Sequence, residues 1–262
     1  MIHFLFPCDP LGRKKPDELV ADQHALALSM GFSASLFDLD ELQRSYTFKG
    51  IGKIPEEATV VYRGWMLTVP QYGQLVDAIL SRGATPLTQV DEYARTHWIY
   101  GWYHNPVIQQ YTTESRFYNL NDDHAAEFAK LGWGEIFIKD YVKSLKTAPG
   151  SIADSPEKVT EIIRAMRQYR ELEGGITFRR AEEYVAGSER RYFILNGTLF
   201  SLGDVPVPMF VYDIIPEVRS KFFSLDVAQR VDGGWRLIEL GDGQVSDIVN
   251  GWTADIFMRI WA

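Results

Sequence analysis

One cysteine, Cys8, is the entire thiol complement of the 262 residues, so no disulfide can form within the chain. The compartment this implies is a reducing cytoplasm. Basic residues are in deficit. The net charge of -8 argues against non-specific nucleic-acid binding, which needs a cationic face to neutralise phosphates. A local basic pocket stays compatible with that figure, because net charge says nothing about distribution. No apolar run approaches the length that spans a bilayer. The opening Met1-Ile2-His3-Phe4-Leu5-Phe6 lacks a basic leader and meets Pro7 at once, so it reads as a buried strand rather than a secretion signal. The histidines His3, His24, His97, His104 and His124 are nowhere at metal-ligand spacing, and Cys8 has no CxxC partner. There is no Gly-x-Ser-x-Gly elbow. Gly50-Ile51-Gly52 is a lone glycine pair without a helix behind it, too little for a dinucleotide fingerprint.

What is present is a globular composition, 46% hydrophobic and 24% charged, enough for one large domain or two modest ones. The first third alternates strand and helix signals. Strands are expected at His3–Phe6, Ser33–Phe37, Ala58–Tyr62 and Thr85–Leu87, and helices over 16–30 and 69–82, stopped by Gly31 and Gly83. That order implies a partly parallel sheet with helices on its faces. From about Asp91 to Leu120 the periodicity weakens and aromatics crowd, which reads as a packed connection between two domains, 1–118 and 119–262. Beyond it come a helix over 122–131, a strand over 135–140, and a long amphipathic helix with Ser155 as N-cap and Pro156 in its first turn. A strand from Arg179 to Val185 follows. Asn196-Gly197 marks a two-residue hairpin, and strands over 221–228 and 235–240 flank Asp232-Gly233-Gly234. The fold class is α/β, with α+β character in the second part.

Several charged residues sit where chemistry is plausible. Lys139 closes an apolar strand, and Lys143 and Lys146 lie just beyond it. Converging lysines repel one another unless an anion such as polyphosphate lies between them; the alternative is a solvated loop. Glu189 and Arg191 share a strand face, because strand side chains alternate. Asp226 lies inside the apolar Leu225-Asp226-Val227-Ala228, where an unpaired carboxylate is costly. With Glu239 on a neighbouring strand it offers the hard oxygens that Mg²⁺ prefers. Asp242 is either a further ligand or a turn residue before Gly243. Arg63, at a strand end before Gly64-Trp65, is a substrate-site candidate or a surface arginine on Trp65.

Taken in order, Ile138-Lys139, Ala181-Glu182-Glu183-Tyr184-Val185, Gly187-Ser188-Glu189, Leu225-Asp226-Val227 and Ile238-Glu239-Leu240 resemble the ATP-grasp enzymes. The resemblance implies an ATP-grasp fold preceded by an α/β pre-ATP-grasp domain. It implies Lys139 on the α/β-phosphates, helped by Lys143. The hinge Glu182, Glu183, Tyr184 and Val185 would meet adenine, and Glu189 the ribose hydroxyls. Asp226 and Glu239 would hold Mg²⁺. The family asparagine falls on Gly241, so that either Asp242 supplies the missing oxygen or Mg²⁺ keeps an extra water, and an arginine two residues before the first acid is Ser224 here, leaving its task to Arg191. Glu189-Arg190-Arg191-Tyr192-Phe193 is similar to a strand of a divergent clade named for two arginines and a lysine. That clade includes bacterial and phage members and the cell-division-cycle proteins that assemble a translation initiation factor. The implied activity is amide-bond formation between a carboxylate and an amine, with Lys139 and Arg191 catalytic and Arg63 near the substrate. The acceptor would be a peptide, a protein or a small amine. The other reading that follows from the clade is an ATP-binding assembly factor without ligase turnover.

Overall fold

The computed structural model describes residues 1–142 and 148–262, so the expected contributions of Lys143 and Lys146 lie outside the described residues. The first sheet comprises β1 (Ile2–Pro7), β2 (Ser33–Phe37), β3 (Gly50–Ile51), β4 (Thr59–Tyr62) and β5 (Thr85–Pro86). Its order is β3-β2-β1-β4-β5, and every pairing is parallel except β2 with β3. The central strand β1 is apolar on both faces because both are covered. Phe4 and Phe6 pack with Ala27 of the helix Ala21–Ser29 and with Phe257 and Met258 of the helix Ala254–Met258. Leu5 packs on the other side with Tyr72, Leu75 and Ile79 of the helix Val69–Leu80. That helix starts where expected, at a capping box between Thr68 and Gln71.

The second sheet is antiparallel, ordered β6-β9-β7-β8 from β6 (Ser115–Tyr118), β7 (Ile136–Asp140), β8 (Ile152–Ala153) and β9 (Ile176–Arg180). Ile136, Ile138 and Phe178 turn one face to Val159, Ile162 and Met166 of the helix Pro156–Tyr169. The Ser155 hydroxyl accepts from Lys158 N at 3.3 Å as the N-cap, with Pro156 in the first turn, as the sequence predicts. Strand alternation therefore sends Phe137, Lys139 and Arg179 to the opposite face.

The third sheet, β11-β10-β12-β13, contains β10 (Arg190–Leu195), β11 (Thr198–Phe200), β12 (Phe222–Gln229) and β13 (Trp235–Asp242), all antiparallel. Asn196 (φ 49°) and Gly197 (φ 80°) both take the positive φ that a two-residue primed turn demands. Tyr192, Ile194, Phe223, Leu225 and Leu240 pack against Ile99, Trp102 and Tyr103. Phe193 and Phe222, on the other face, join the cluster around Phe4 and so weld this sheet to the first.

Two expectations need revision. The aromatic stretch is a packed connection, but it contains three short helices, Val90–His97, Ile99–Tyr103 and Pro106–Gln109, and then β6. Helices of four to eight residues are too short to display a full apolar period. The strand expected to run to Val185 ends at Arg180. The residues beyond it cross to the third sheet, where Tyr184 forms a bridge to Arg230 just after β12. Among the described residues no helix is long and apolar enough to cross a membrane.

Candidate functional site

The polar face of the second sheet looks across a cleft at β12 and β13. An apolar cavity of about 410 Å³ opens there, walled by Phe137 and Ile152 on one side and by Ala228, Ile238 and Val185 on the other. That volume lies within the range of small-molecule sites. A second, smaller cavity of about 70 Å³ adjoins β12 and β13 and is lined by Arg191, Ser224, Asp226, Glu239, Gly241 and Ser246. A local irregularity of β13 connects the two. Asp226 stands opposite Glu239 but Val227 stands opposite Leu237, so Ile238 is the extra residue of a β-bulge. Leu237 and Leu240 both reach the core, and the two residues between them turn to the cleft. One strand thus delivers the apolar wall (Ile238) and an acid (Glu239) side by side.

The charged cavity is internally neutralised. The Lys139 ammonium, on a side chain only 4% exposed, pairs with Glu239 Oε1. Arg191 grips Asp226 through both carboxylate oxygens, Nε to Oδ1 at 2.7 Å and Nη2 to Oδ2 at 2.6 Å, and donates Nη1 to Asp247 O at 2.8 Å. Planar two-point geometry is the strong form of this contact. Burial is the largest influence on Glu239 and opposes its charge, but Lys139, Arg179 and Arg191 together outweigh it and hold the carboxyl below its ordinary pKa. For Asp226 burial prevails and raises the pKa despite Arg191, with Glu239 adding repulsion. Two adjacent carboxylates, one of them under-compensated, match a divalent cation that takes one or two protein carboxylates plus phosphate oxygens. Among the described residues no group of three or more His, Cys, Asp or Glu side chains could hold a metal by itself.

Asp242 lines the same small cavity as this pair. In strand register it stands opposite Phe223, one position further along β13 than Gly241. It accepts from Gln244 N at 2.9 Å and Gln244 Nε2 at 3.1 Å, while its Oδ2 has no partner. Complete burial pushes its pKa up to about 7. Arg63 is likewise a brace. It is 3% exposed, donates Nε to Gln23 Oε1 at 2.8 Å, and spends Nη1 on the carbonyls of Gly243, Gln244 and Ser246. Its guanidinium also lies 4.4 Å over the Phe257 ring, and burial lowers its pKa to about 10. Arg63 thereby fixes the turn that presents the Asp247 carbonyl to Arg191, and it also lines a cavity of about 520 Å³ together with Gln23, Trp65 and Trp252.

The hinge acids are also engaged. Glu182 accepts from Thr113 Oγ1 at 2.8 Å, Tyr184 OH at 2.9 Å and Arg236 Nε at 3.3 Å. Burial alone would raise its pKa, yet these donors bring it below the ordinary value. Glu183 is exposed; its carbonyl accepts from Val231 N at 3.1 Å, and Val185 N donates to Gln229 O at 2.8 Å. Tyr184, Val185 and Glu189 line the apolar cavity, Glu189 at its mouth. Arg179 was not expected here. It is 7% exposed on β9, donates Nη1 to Ile238 O at 2.7 Å and Nη2 to Thr112 Oγ1 at 2.9 Å, and keeps a buried Nε without a partner. An arginine directly following the apolar Ile176-Thr177-Phe178 was the available signal.

The ATP-grasp domain family that is third in the clade named for two arginines and a lysine matches residues 99–262, more than half of the chain. No curated protein matches the sequence. Among solved structures the fold is similar to the D-alanine-D-alanine ligase from Coxiella burnetii (TM-score 0.64, 11% identity, 99% of this chain and 90% of that one). It is also similar to macrocyclase MdnC bound with precursor peptide MdnA from Microcystis aeruginosa (TM-score 0.57, 13% identity, 99% of both chains). A third similar structure is the ATP-grasp ligase PsnB complexed with minimal precursor, Mg and ADP (TM-score 0.56, 11% identity, 92% and 89%). At these identities the likeness concerns the fold.

Proposed function

The chain belongs to the ATP-grasp domains, in the third family of the two-arginine-and-lysine clade, and on that premise we propose that it is a Mg-ATP-dependent ligase joining a carboxylate to an amine on a peptide or protein. The observation that carries this reading is the register pair Asp226 and Glu239, each paired with a cationic side chain, in a small charged cavity beside an apolar pocket of about 410 Å³. In this assignment the base lies between Phe137 and Ile238, the hinge 182–185 shapes its edge, and Glu189 faces the ribose. Lys139 and Arg179 serve the phosphates. Asp226 and Glu239 hold the Mg²⁺, which supplies neutralisation of the phosphate oxygens.

The protein's own part in the chemistry is electrostatic. A substrate carboxylate oxygen bonds to the γ-phosphorus as the bridge to ADP breaks, and negative charge shifts along that line. Lys139 and Arg191, fixed in a site sheltered from water, meet that charge without having to reorganise. The amine then forms the C–N bond, inorganic phosphate leaves the acyl carbon, and the amine's proton passes to solvent. No side chain has to act as a covalent nucleophile. Peptide substrates are favoured by analogy with the precursor complexes of MdnC and PsnB.

Incubating the protein with ATP, Mg²⁺ and a cell lysate tests the reading. The expected result is release of ADP and phosphate together with a mass change on one target, either gain of an amine component or loss of water on ring closure. Saturable ATP binding with no turnover and no modified species would overturn the ligase and favour an assembly factor.

A further inference from the structure

On the face of the third sheet that carries Asp226 and Glu239, the next register pair is Ser224 and Gly241. Ser224 is 3% exposed, and both residues line the small charged cavity together with Ser246. The two hydroxyls meet at 2.7 Å, and Ser246 Oγ also donates to Asp242 O at 2.8 Å. A hydroxyl has one hydrogen. Because Ser246 uses its own on the Asp242 carbonyl, Ser224 must donate to Ser246. The relay commits both hydrogens within the pair and its carbonyl, and among the described residues no donor reaches the lone pairs of Ser224. Bare backbone at Gly241 keeps this arrangement possible. A Cβ there would lie 3.0 Å from Ser224 Oγ and 3.1 Å from Ser246 Oγ, tighter than an ordinary contact.

We infer that the Ser224–Ser246 pair is a positioning device for the divalent cation, with Ser224 accepting a hydrogen bond from a cation-bound water. A cavity of about 70 Å³ has room for a cation with one or two waters at about 30 Å³ each. Mg²⁺ habitually keeps several waters and needs neutral acceptors to orient them. The surroundings suit that role: two carboxylates on the same face attract the cation, and an acceptor that presents no hydrogen does not repel it. Asp242, a further acid in the lining of the same cavity, accepts from Gln244 through Oδ1 and holds Ser246 through its carbonyl. The inference rests on the reading of Asp226 and Glu239 as the cation's carboxylates.

The test is the Mg²⁺ midpoint for ATP binding, measured by calorimetry, beside ATP affinity in excess EDTA and the melting temperature. Ser224→Ala should raise the Mg²⁺ midpoint about 10-fold, the usual scale for losing an outer partner of a metal site, and should change affinity in EDTA less than about two-fold. Ser246→Ala, which releases the Ser224 hydrogen, should act in the same direction. Gly241→Asn alone should weaken the Mg²⁺ response and lower the melting temperature, because it displaces both hydroxyls. In the Ser224→Ala/Ser246→Ala background the space is vacated, and Gly241→Asn should bring the midpoint back toward wild type by providing a neutral oxygen. An unchanged midpoint in Ser224→Ala/Ser246→Ala, with Asp226→Asn abolishing the Mg²⁺ response, overturns the inference and leaves the carboxylate assignment standing. A wild-type protein whose ATP binding ignores Mg²⁺ overturns both.

Discussion

At the apolar end of the cleft, Phe137, Ile152, Ala228 and Ile238 face a cavity whose hinge groups are already engaged, Glu182 by three donors and the amide of Val185 by Gln229. At the charged end, Lys139, Glu239, Arg191 and Asp226 are locked pairwise. A base can enter the first region by displacing water. Polyphosphate can enter the second only if Lys139 and Arg191 are given to phosphate while a cation takes their carboxylates. The apolar end is therefore ready for its ligand as it stands, whereas the charged end exchanges partners. Base recognition and cation dependence should accordingly be separable by mutation.

The largest effect is expected for Lys139→Ala. On the proposed assignment it removes a phosphate contact, and it leaves Glu239 without its Lys139 partner, so ATP and ADP should both bind about 2–5 kcal/mol more weakly. Arg191→Gln should spare ADP affinity and abolish turnover, because charge that develops only during transfer is stabilised only then. Parallel calorimetry with ADP and a turnover assay separates the two. A steep loss of ADP affinity in Arg191→Gln would make it a ground-state binding residue and would blur the distinction drawn between the two cations.

Asp242→Asn probes the back of the charged end and should leave the Mg²⁺ response of ATP binding intact. Its signature is in stability. The folded-state pKa of about 7 lies above the ordinary 3.8, so the native protein binds the extra proton between those values. Wild-type stability should therefore fall as pH rises from about 4 to 7, by on the order of 1–4 kcal/mol. Asp242→Asn, which still accepts from Gln244, should flatten that slope and be the more stable protein at pH 8. Urea melts across this range provide the measurement. A slope unchanged by the substitution would place the titrating group elsewhere.

Much of this architecture is legible in the sequence. The alternation of Ile136, Ile138 and Lys139, the Ser155-Pro156 start and the Asn196-Gly197 turn are local signals, and each appears where propensity and turn chemistry place it. The register pair Asp226–Glu239 was readable because a carboxylate inside an apolar strand demands a partner. What escaped is long-range. Asp242 follows Glu239 closely in sequence, but its Gln244 contacts and its full burial depend on the turn that follows β13. Arg63 ends a strand, which marks it as a substrate-site candidate, but its acceptors in the 243–246 turn, about 180 residues away, are not legible locally. Arg179 carries no motif, and its placement depends on the carbonyl that the bulge at Ile238 exposes. None of these follows from spacing, because each depends on how a turn or another sheet is placed.

The exchange of partners at the charged end is tested most directly by calorimetry of ATP binding to wild type and to Glu239→Gln, each in Mg²⁺ and in excess EDTA. Wild type should bind ATP at least about 10-fold more tightly with Mg²⁺, because only then are Lys139 and Arg191 released from their carboxylates. Glu239→Gln should lose that enhancement and yet bind metal-free ATP more tightly than wild type does, because Lys139 no longer has an internal anion to hold. Wild-type affinity that is equal in Mg²⁺ and EDTA, or metal-free binding that is weaker in Glu239→Gln than in wild type, would contradict the account.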